Sequence, residues 1–178
     1  MTEHPLNIFK HCPKCGSDKF VENDSRSKKC LDCSFVYYQN AAAAVAGIIR
    51  NERNEILVTT RGIEPKKGKL DLPGGFVEFA ETAEEALRRE IKEELNIEVK
   101  NIKFEFSMPN IYRFSDMNVR TLDLIFSCEA CEATKINPQD DVKDAKYMNV
   151  NDLNEEDFGL DSIKNAIRII KNGAEMQK

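Results

Sequence analysis

The sequence predicts an α+β chain made of two units, on three observations. Two Cys-x-x-Cys pairs, Cys12 with Cys15 and Cys30 with Cys33, stand close together near the start. Short β-prone runs bounded by polar turns occupy most of the remainder. Two stretches of helical periodicity interrupt them, at about 82–95 and at 162–171. Mixed strands with few helices fit an α+β arrangement or an α/β/α sandwich.

Residues 1–38 read as the first unit. Fourteen residues separate the two cysteine pairs, which suits a tetrahedral Cys₄ zinc site with Cys12, Cys15, Cys30 and Cys33 as ligands. Short strands over 19–22 and 35–38 make this a zinc ribbon. A unit of about 38 residues builds too little core to fold alone, so bound zinc supplies much of its folding energy. The role expected for it is structural.

Residues 39–178 read as the second unit. The runs 41–50 and 55–61 flank a polar turn at 51–54 and predict a hairpin. A basic loop at 66–69 precedes Leu70-Asp71-Leu72. Strands follow at 102–108, at 119–130 and at 144–150. In the second of these, Leu122, Leu124 and Phe126 alternate with Asp123 and Ser127. Ile163, Ala166, Ile167 and Ile170 give the closing helix an apolar stripe. Cys128 and Cys131 repeat the Cys-x-x-Cys spacing. Residues three apart in a strand point to opposite faces, so these two are expected to be structural.

Composition narrows the function classes. The net charge of −5 argues against a general nucleic-acid binder. The longest apolar run, 41–49, is too short for a membrane span. The first ten residues lack the apolar core of a signal peptide, which makes the cytoplasm the default compartment. Six cysteines there point to metal rather than to disulfides.

The middle helix carries the chemistry. Thr82 and Glu85 form a capping box, and Asn96 suits a left-handed C-cap. At about 100° per residue, Glu94 falls about 40° from Glu90, with Leu87 at about 60° and Ile91 at about 100°. Glu90 and Glu94 therefore share the apolar packing face, while Glu85 and Lys92 point outward. Carboxylates clustered on a packing face are destabilising unless paired or bound to a cation. Hard divalent cations with oxygen ligands answer that need, and Mg²⁺ brings phosphates with it.

The segment 75–97, GFVEFAETAEEALRREIKEELNI, resembles the box of the Nudix hydrolases, G-x5-E-x7-R-E-U-x-E-E-x-G-U with U bulky and aliphatic. Gly75, Glu81, Arg89, Glu90, Ile91, Glu93, Glu94 and Ile97 match it. Asn96 replaces the family's Gly, and Ala80 stands where many members carry Gly. The resemblance implies an α/β/α sandwich around a mixed sheet. It also implies metal-dependent hydrolysis of a nucleoside diphosphate linked to another moiety, a small-molecule nucleotide substrate. By this similarity Glu90, Glu93 and Glu94 bind Mg²⁺ or Mn²⁺, and the Gly75 carbonyl completes the shell. Arg89 and Glu81 brace the loop against the helix. Asp141, with Asp140 beside it, matches the later acidic residue that serves as ligand or base.

Substrate contacts are expected from Arg61, Lys67 and Lys69 for phosphate. Tyr112 and Phe114 are the candidates for stacking on adenine. A zinc ribbon before such a domain resembles the NADH pyrophosphatases. Of their Ser-Gln-Pro-Trp-Pro-Phe-Pro motif, however, only Ser107 and Pro109 remain. ADP-ribose is therefore the first expected substrate and NADH or NAD⁺ the second, with a non-enzymatic ligand sensor as the rival class. Neither a membrane nor a nucleic acid is expected as partner, and a homodimer stays open.

Overall fold

The computed structural model describes residues 4–131 and 136–175. The outer ends of the two expected units, 1–3 and 176–178, lie outside these residues.

The first unit is a three-stranded antiparallel sheet of β1 (Phe20–Asp24), β2 (Ser27–Cys30) and β3 (Val36–Tyr38), in that order. The sequence reading finds the outer strands and misses the central β2. Its Ser-Lys-Lys-Cys stretch has no apolar alternation, yet Ser27, Lys28 and Cys30 are buried. Lys28 is held by its ammonium, which donates to the Phe9 carbonyl at 2.7 Å and lies 5.0 Å from the centre of the Phe20 ring. The buried core here is only Cys12, Phe20 and Cys30.

The second unit is a six-stranded mixed sheet between two helices. Its strands are β4 (Ala42–Arg50), β5 (Ile56–Arg61), β6 (Leu70–Asp71), β7 (Val99–Phe114), β8 (Met117–Ala130) and β9 (Val142–Met148). β4 runs parallel to β8, while β7 pairs antiparallel with β8 and β9 antiparallel with β5. The helices are α1 (Ala83–Leu95) and α2 (Asp161–Glu175). Alternation along the central strands splits the core in two. Val45, Ile49, Leu57 and Phe126 pack with Leu87, Ile91 and Leu95 of α1. Ala46, Ile48, Val58 and Ile125 pack with Ile163, Ala166 and Ile167 of α2. This is the expected α/β/α sandwich.

Two expectations need correction. The hairpin expected over 41–61 barely exists, because β4 and β5 pair only at Arg50 and Ile56 beside the turn. Beyond that point the segment after β6 pairs with β4, through Val45 N–H to the Gly75 carbonyl and Gly47 N–H to the Pro73 carbonyl, each at 2.8 Å. The strand expected at 102–108 runs from 99 to 114 as β7. It turns into β8 through Ser115 and Asp116, both with positive φ, a two-residue turn that suits strand twist. Tyr112 and Phe114 therefore sit in a strand, not in a loop.

Candidate active site

Local sequence sets the first wall of the site. The Thr82 hydroxyl accepts from Glu85 N–H, and the Glu85 carboxylate accepts from Thr82 N–H at 2.8 Å, so α1 starts there. Such a cap contributes about 1 kcal/mol. Asn96 ends the helix at φ 56°. Ala80, the other departure from the box, also has positive φ, at 67°. Both departures thus fall where glycine is the least strained residue.

Arg89 organises the loop before the helix. It makes two bonds to the Glu81 carboxylate, at 2.7 and 3.1 Å, and donates to the Phe76 carbonyl at 3.0 Å. It also reaches Glu90 at 2.9 Å and Glu93 at 3.1 Å. Glu81 in turn accepts from Glu78 N–H. Arg89 and Glu81 thus join the loop to the helix.

Two glycines let the loop approach the sheet and helix. At Gly74, with φ 147°, a Cβ would lie 2.1 Å from the Val45 carbonyl oxygen. At Gly75 it would lie 2.5 Å from the Glu90 carboxylate. The Gly75 carbonyl already accepts from Val45 N–H, which leaves one lone pair for any other ligand.

Burial makes the helix carboxylates reactive to charge. Glu94 accepts from Gly74 N–H at 3.0 Å. Burial, with Asp71, Glu90 and Asp141 nearby, still pushes its pKa up to about 8. Burial raises Glu90 as well, against the pull of Arg89. Glu93 is half exposed and turned toward Arg89. Among the described residues, the only group of three or more Cys, His, Asp or Glu with ligand atoms within 4.8 Å of one another is the ribbon's cysteines. The three glutamates do not converge in this way.

Asp141 arrives by capping chemistry. The last carbonyls of a helix lack partners within it. Here Asn137 N–H bonds the Leu95 carbonyl and Gln139 N–H bonds that of Glu94, at 3.0 and 2.8 Å. The following Asp140 and Asp141 are thereby held at the Glu94 end of the site. Burial, and then the charge of Asp140, raise the Asp141 carboxyl.

A cavity of about 240 Å³ joins these groups to the sheet. Glu90, Glu94, Gly75, Asp141, Arg61 and Tyr112 all line it. The expected phosphate contacts divide. Arg61 is present but committed to Asp71 at 2.7 Å and to the Pro65 carbonyl at 2.8 Å, with the Tyr112 hydroxyl in reach. Lys69 is not in the wall; its ammonium donates to the Glu156 carbonyl at 3.2 Å. Lys67 is exposed and also outside the wall. The two aromatics divide likewise. Tyr112 lines the cavity edge-on to Phe76, with ring centres 5.6 Å apart. Phe114 is 60% exposed and outside the wall.

Sequence reasoning misses Asp71, Asn110, Thr121 and Asp123, all buried and all in the cavity wall. The one available signal was a lone Asp in an apolar alternation. In β8 Leu122 is 43% exposed while Asp123 is 5% exposed.

The ribbon cysteines fit zinc. The Cys12 and Cys33 sulfurs are 3.7 Å apart and those of Cys15 and Cys30 3.6 Å. Four sulfurs on a tetrahedron with Zn–S of about 2.3 Å lie about 3.8 Å apart. The backbone N–H of Cys33, then that of Asp32, draw the Cys30 thiol down to about 6, toward the thiolate a metal requires. Cys128 and Cys131 belong to no such cluster among the described residues.

Residues 40–167 match the NUDIX domain family over most of the chain. The chain belongs to the Nudix family. An ADP-ribose pyrophosphatase of Methanocaldococcus jannaschii is 36% identical over 138 residues, spanning 76% of this chain and 78% of that protein. The NAD-capped RNA hydrolase NudC of Vibrio parahaemolyticus is 27% identical over 151 residues, spanning 84% of this chain and 55% of the relative. The chain thus spans about half the length of the NudC relatives it matches. A Nudix hydrolase structure from Nitrosomonas europaea superposes with a TM-score of 0.67 at 23% identity, covering 88% of this chain and 87% of the other. No helix among the described residues of this Nudix protein is long and apolar enough to cross a membrane.

Proposed function

We propose that this Nudix protein hydrolyses the pyrophosphate bond of a nucleoside diphosphate linked to another moiety, with ADP-ribose as its substrate. The observation that carries this reading is one cavity holding both the buried carboxylates of α1 and an aromatic ring. Glu90, Glu94, Asp141 and Tyr112 all line it. The M. jannaschii relative, similar over three quarters of both chains, carries the name ADP-ribose pyrophosphatase.

The donors fit Mg²⁺ or Mn²⁺. They are hard oxygens, and they are electrostatically strained as they stand. Glu90, Glu93 and Glu94 are assigned as ligands, with the Gly75 carbonyl. Bound divalent cations would neutralise the pyrophosphate and lower the pKa of the attacking water. Arg89 and Glu81 hold the loop that carries Gly75. Asp141 offers a carboxylate to take the water's proton. Tyr112 supports the adenine ring and Arg61 presents positive charge near the diphosphate. Water adds to phosphorus and the bridging P–O bond breaks, giving AMP and ribose 5-phosphate. In the ribbon, Cys12, Cys15, Cys30 and Cys33 are assigned to structural zinc, with 1–38 as the ribbon and 39–178 as the hydrolase domain.

NADH is the second reading, favoured by the NudC relatives. Ser107 and Pro109, the remnants of the NADH motif, lie outside the cavity wall that Asn110 and Tyr112 line. The test is a panel of ADP-ribose, NADH, NAD⁺, diadenosine polyphosphates and nucleotide sugars, each with Mg²⁺ or Mn²⁺, with products resolved. AMP and ribose 5-phosphate from ADP-ribose at the highest kcat/KM is the expected result. No metal-dependent turnover of any pyrophosphate would return the protein to the class of ligand sensors.

A further inference from the structure

The cavity wall formed by β7 and β8 has a hydrogen-bonding polarity that the hydrolysis chemistry does not use. Asn110 is 8% exposed and lines the cavity, yet its side-chain amide makes no hydrogen bond among the described residues. Its amide is not among the sealed, unpartnered polar groups, so its donors and acceptor face the open cavity, where a ligand can take them up. Thr121 lies directly across the ladder from it. The Thr121 hydroxyl donates to one oxygen of Asp123 at 2.6 Å, and the Ser162 hydroxyl of α2 donates to the other. Both hydroxyl protons are therefore turned toward Asp123. What Thr121 and Asp123 show to the cavity is lone pairs only. Around them Ala44, Tyr112, Leu160 and Ile163 supply small and apolar surface suited to a flat ring.

We propose that Asn110, Thr121 and Asp123 form a base-reading site that selects a 6-aminopurine over a 6-oxopurine. An amide pairs in two bonds with the amino group and ring nitrogen of adenine. By itself it does not discriminate, because the amide can turn over and offer the reverse pattern. The acceptor-only neighbour settles the polarity. An exocyclic amino group has two protons, one for the Asn110 carbonyl oxygen and one for the Thr121 oxygen or the Asp123 carboxylate. A 6-oxo group there sets lone pairs against lone pairs. Asp123 is a positioning residue in this scheme, since it fixes where the Thr121 proton points. The proposal deepens the ADP-ribose reading and rests on it only for the turnover arm of the test.

The experiment compares AMP with IMP by calorimetry, and ADP-ribose with IDP-ribose in turnover. It uses the full chain and its Asn110→Ala, Thr121→Val and Asp123→Asn variants. Wild type is expected to prefer AMP by roughly tenfold or more. Asn110→Ala and the near-isosteric Thr121→Val bring the ratio close to one. Asp123→Asn keeps one acceptor oxygen and turns the other into an NH₂; with the NH₂ toward Thr121 it donates to that hydroxyl and frees its proton for the cavity, which moves the ratio toward IMP. A merely structural role for Asp123 would weaken both nucleotides alike. Equal affinity of wild type for AMP and IMP, or a preference unchanged in all three variants, overturns the base site. An AMP preference that vanishes in the variants, without turnover of ADP-ribose, supports the base site and overturns the substrate proposed above.

Discussion

At one end of the cavity the polar side chains come from a single helix and the loop before it; at the other they come from neighbouring strands locked by a second helix. Glu81, Arg89, Glu90 and Glu94 lie within fourteen residues of one another; helix geometry sets the last three and the Arg89 bonds place Glu81. Asn110, Thr121, Asp123 and Ser162 span fifty-three residues and three elements, β7, β8 and α2. The first end is rigid because Arg89 ties the loop to the helix through three bonds, two to Glu81 and one to the Phe76 carbonyl. The second is rigid because Asp123 accepts from two directions. The proposed metal end is thus a product of local sequence, and the proposed base end a product of packing.

The largest expected effect tests the metal end. Glu94→Gln keeps the side-chain shape and removes a negative ligand, so kcat should fall at least about a hundredfold at saturating metal. The same change should behave oppositely for stability. The folded pKa of Glu94 is raised from its ordinary 4.5 to about 8, so the folded state holds its proton longer than the unfolded one. Glu94's contribution to stability without metal is then fully present below about 4.5 and is lost as pH rises through about 8. In chelator, thermal melts across this range should show that decline in wild type and a flatter profile in Glu94→Gln. Near-wild-type turnover in the variant would remove Glu94 from the metal end.

The next test sets the ribbon against the sandwich. Cys30→Ser should release zinc and unfold the ribbon, whose buried core is Cys12, Phe20 and Cys30. The sandwich, with its two cores, should keep its circular dichroism. Metal analysis of wild type showing iron, or no metal at all, in place of about one zinc would refute the Cys₄ assignment.

Tyr112→Ala sharpens the base end. A stacked base contributes about 1–3 kcal/mol, so KM for ADP-ribose should rise roughly tenfold to a hundredfold with kcat nearly unchanged. Phe114→Ala, outside the wall, should leave KM where it is. Equal effects of the two changes would mean that the ring does not sit in this cavity.

The smallest effect concerns the loop. Ala80→Gly relieves a left-handed alanine but loosens the unfolded chain. These terms are about 1–2 and 0.4–1 kcal/mol, so the net gain should be about 1 kcal/mol in denaturant unfolding. A loss of stability would show that Ala80 is not strained.

Much of this was legible in residue order. The capping box at Thr82 and Glu85, the left-handed Asn96 and the inward Glu90 and Glu94 all follow from one helix period. The cysteine spacing places the four sulfurs together. The strand expected at 144–150 is β9 at 142–148, and the helix expected at 162–171 is α2 at 161–175, marked by its apolar stripe. The misses have a common cause. β2 has no apolar period, because one of its buried side chains is a lysine satisfied by a distant carbonyl. The hairpin expected over 41–61 failed because β4 takes its partners from β8 and from 73–77. Lys69 and Arg61 are both expected at substrate phosphate, but Glu156 and Asp71 engage them separately.

The sequence by itself determined the cysteine cluster and the carboxylate face of α1, and its resemblance to the Nudix box implied the α/β/α layering. The first two depend on spacing within a few residues, or on a period that burial reads directly. Only the tertiary structure decided which aromatic faces the cavity, that Asp123 is inside while Leu122 is outside, and that Asn110 has no partner. Those outcomes depend on pairing between strands and on which groups reach a buried polar atom, and neither is encoded in any one stretch of chain.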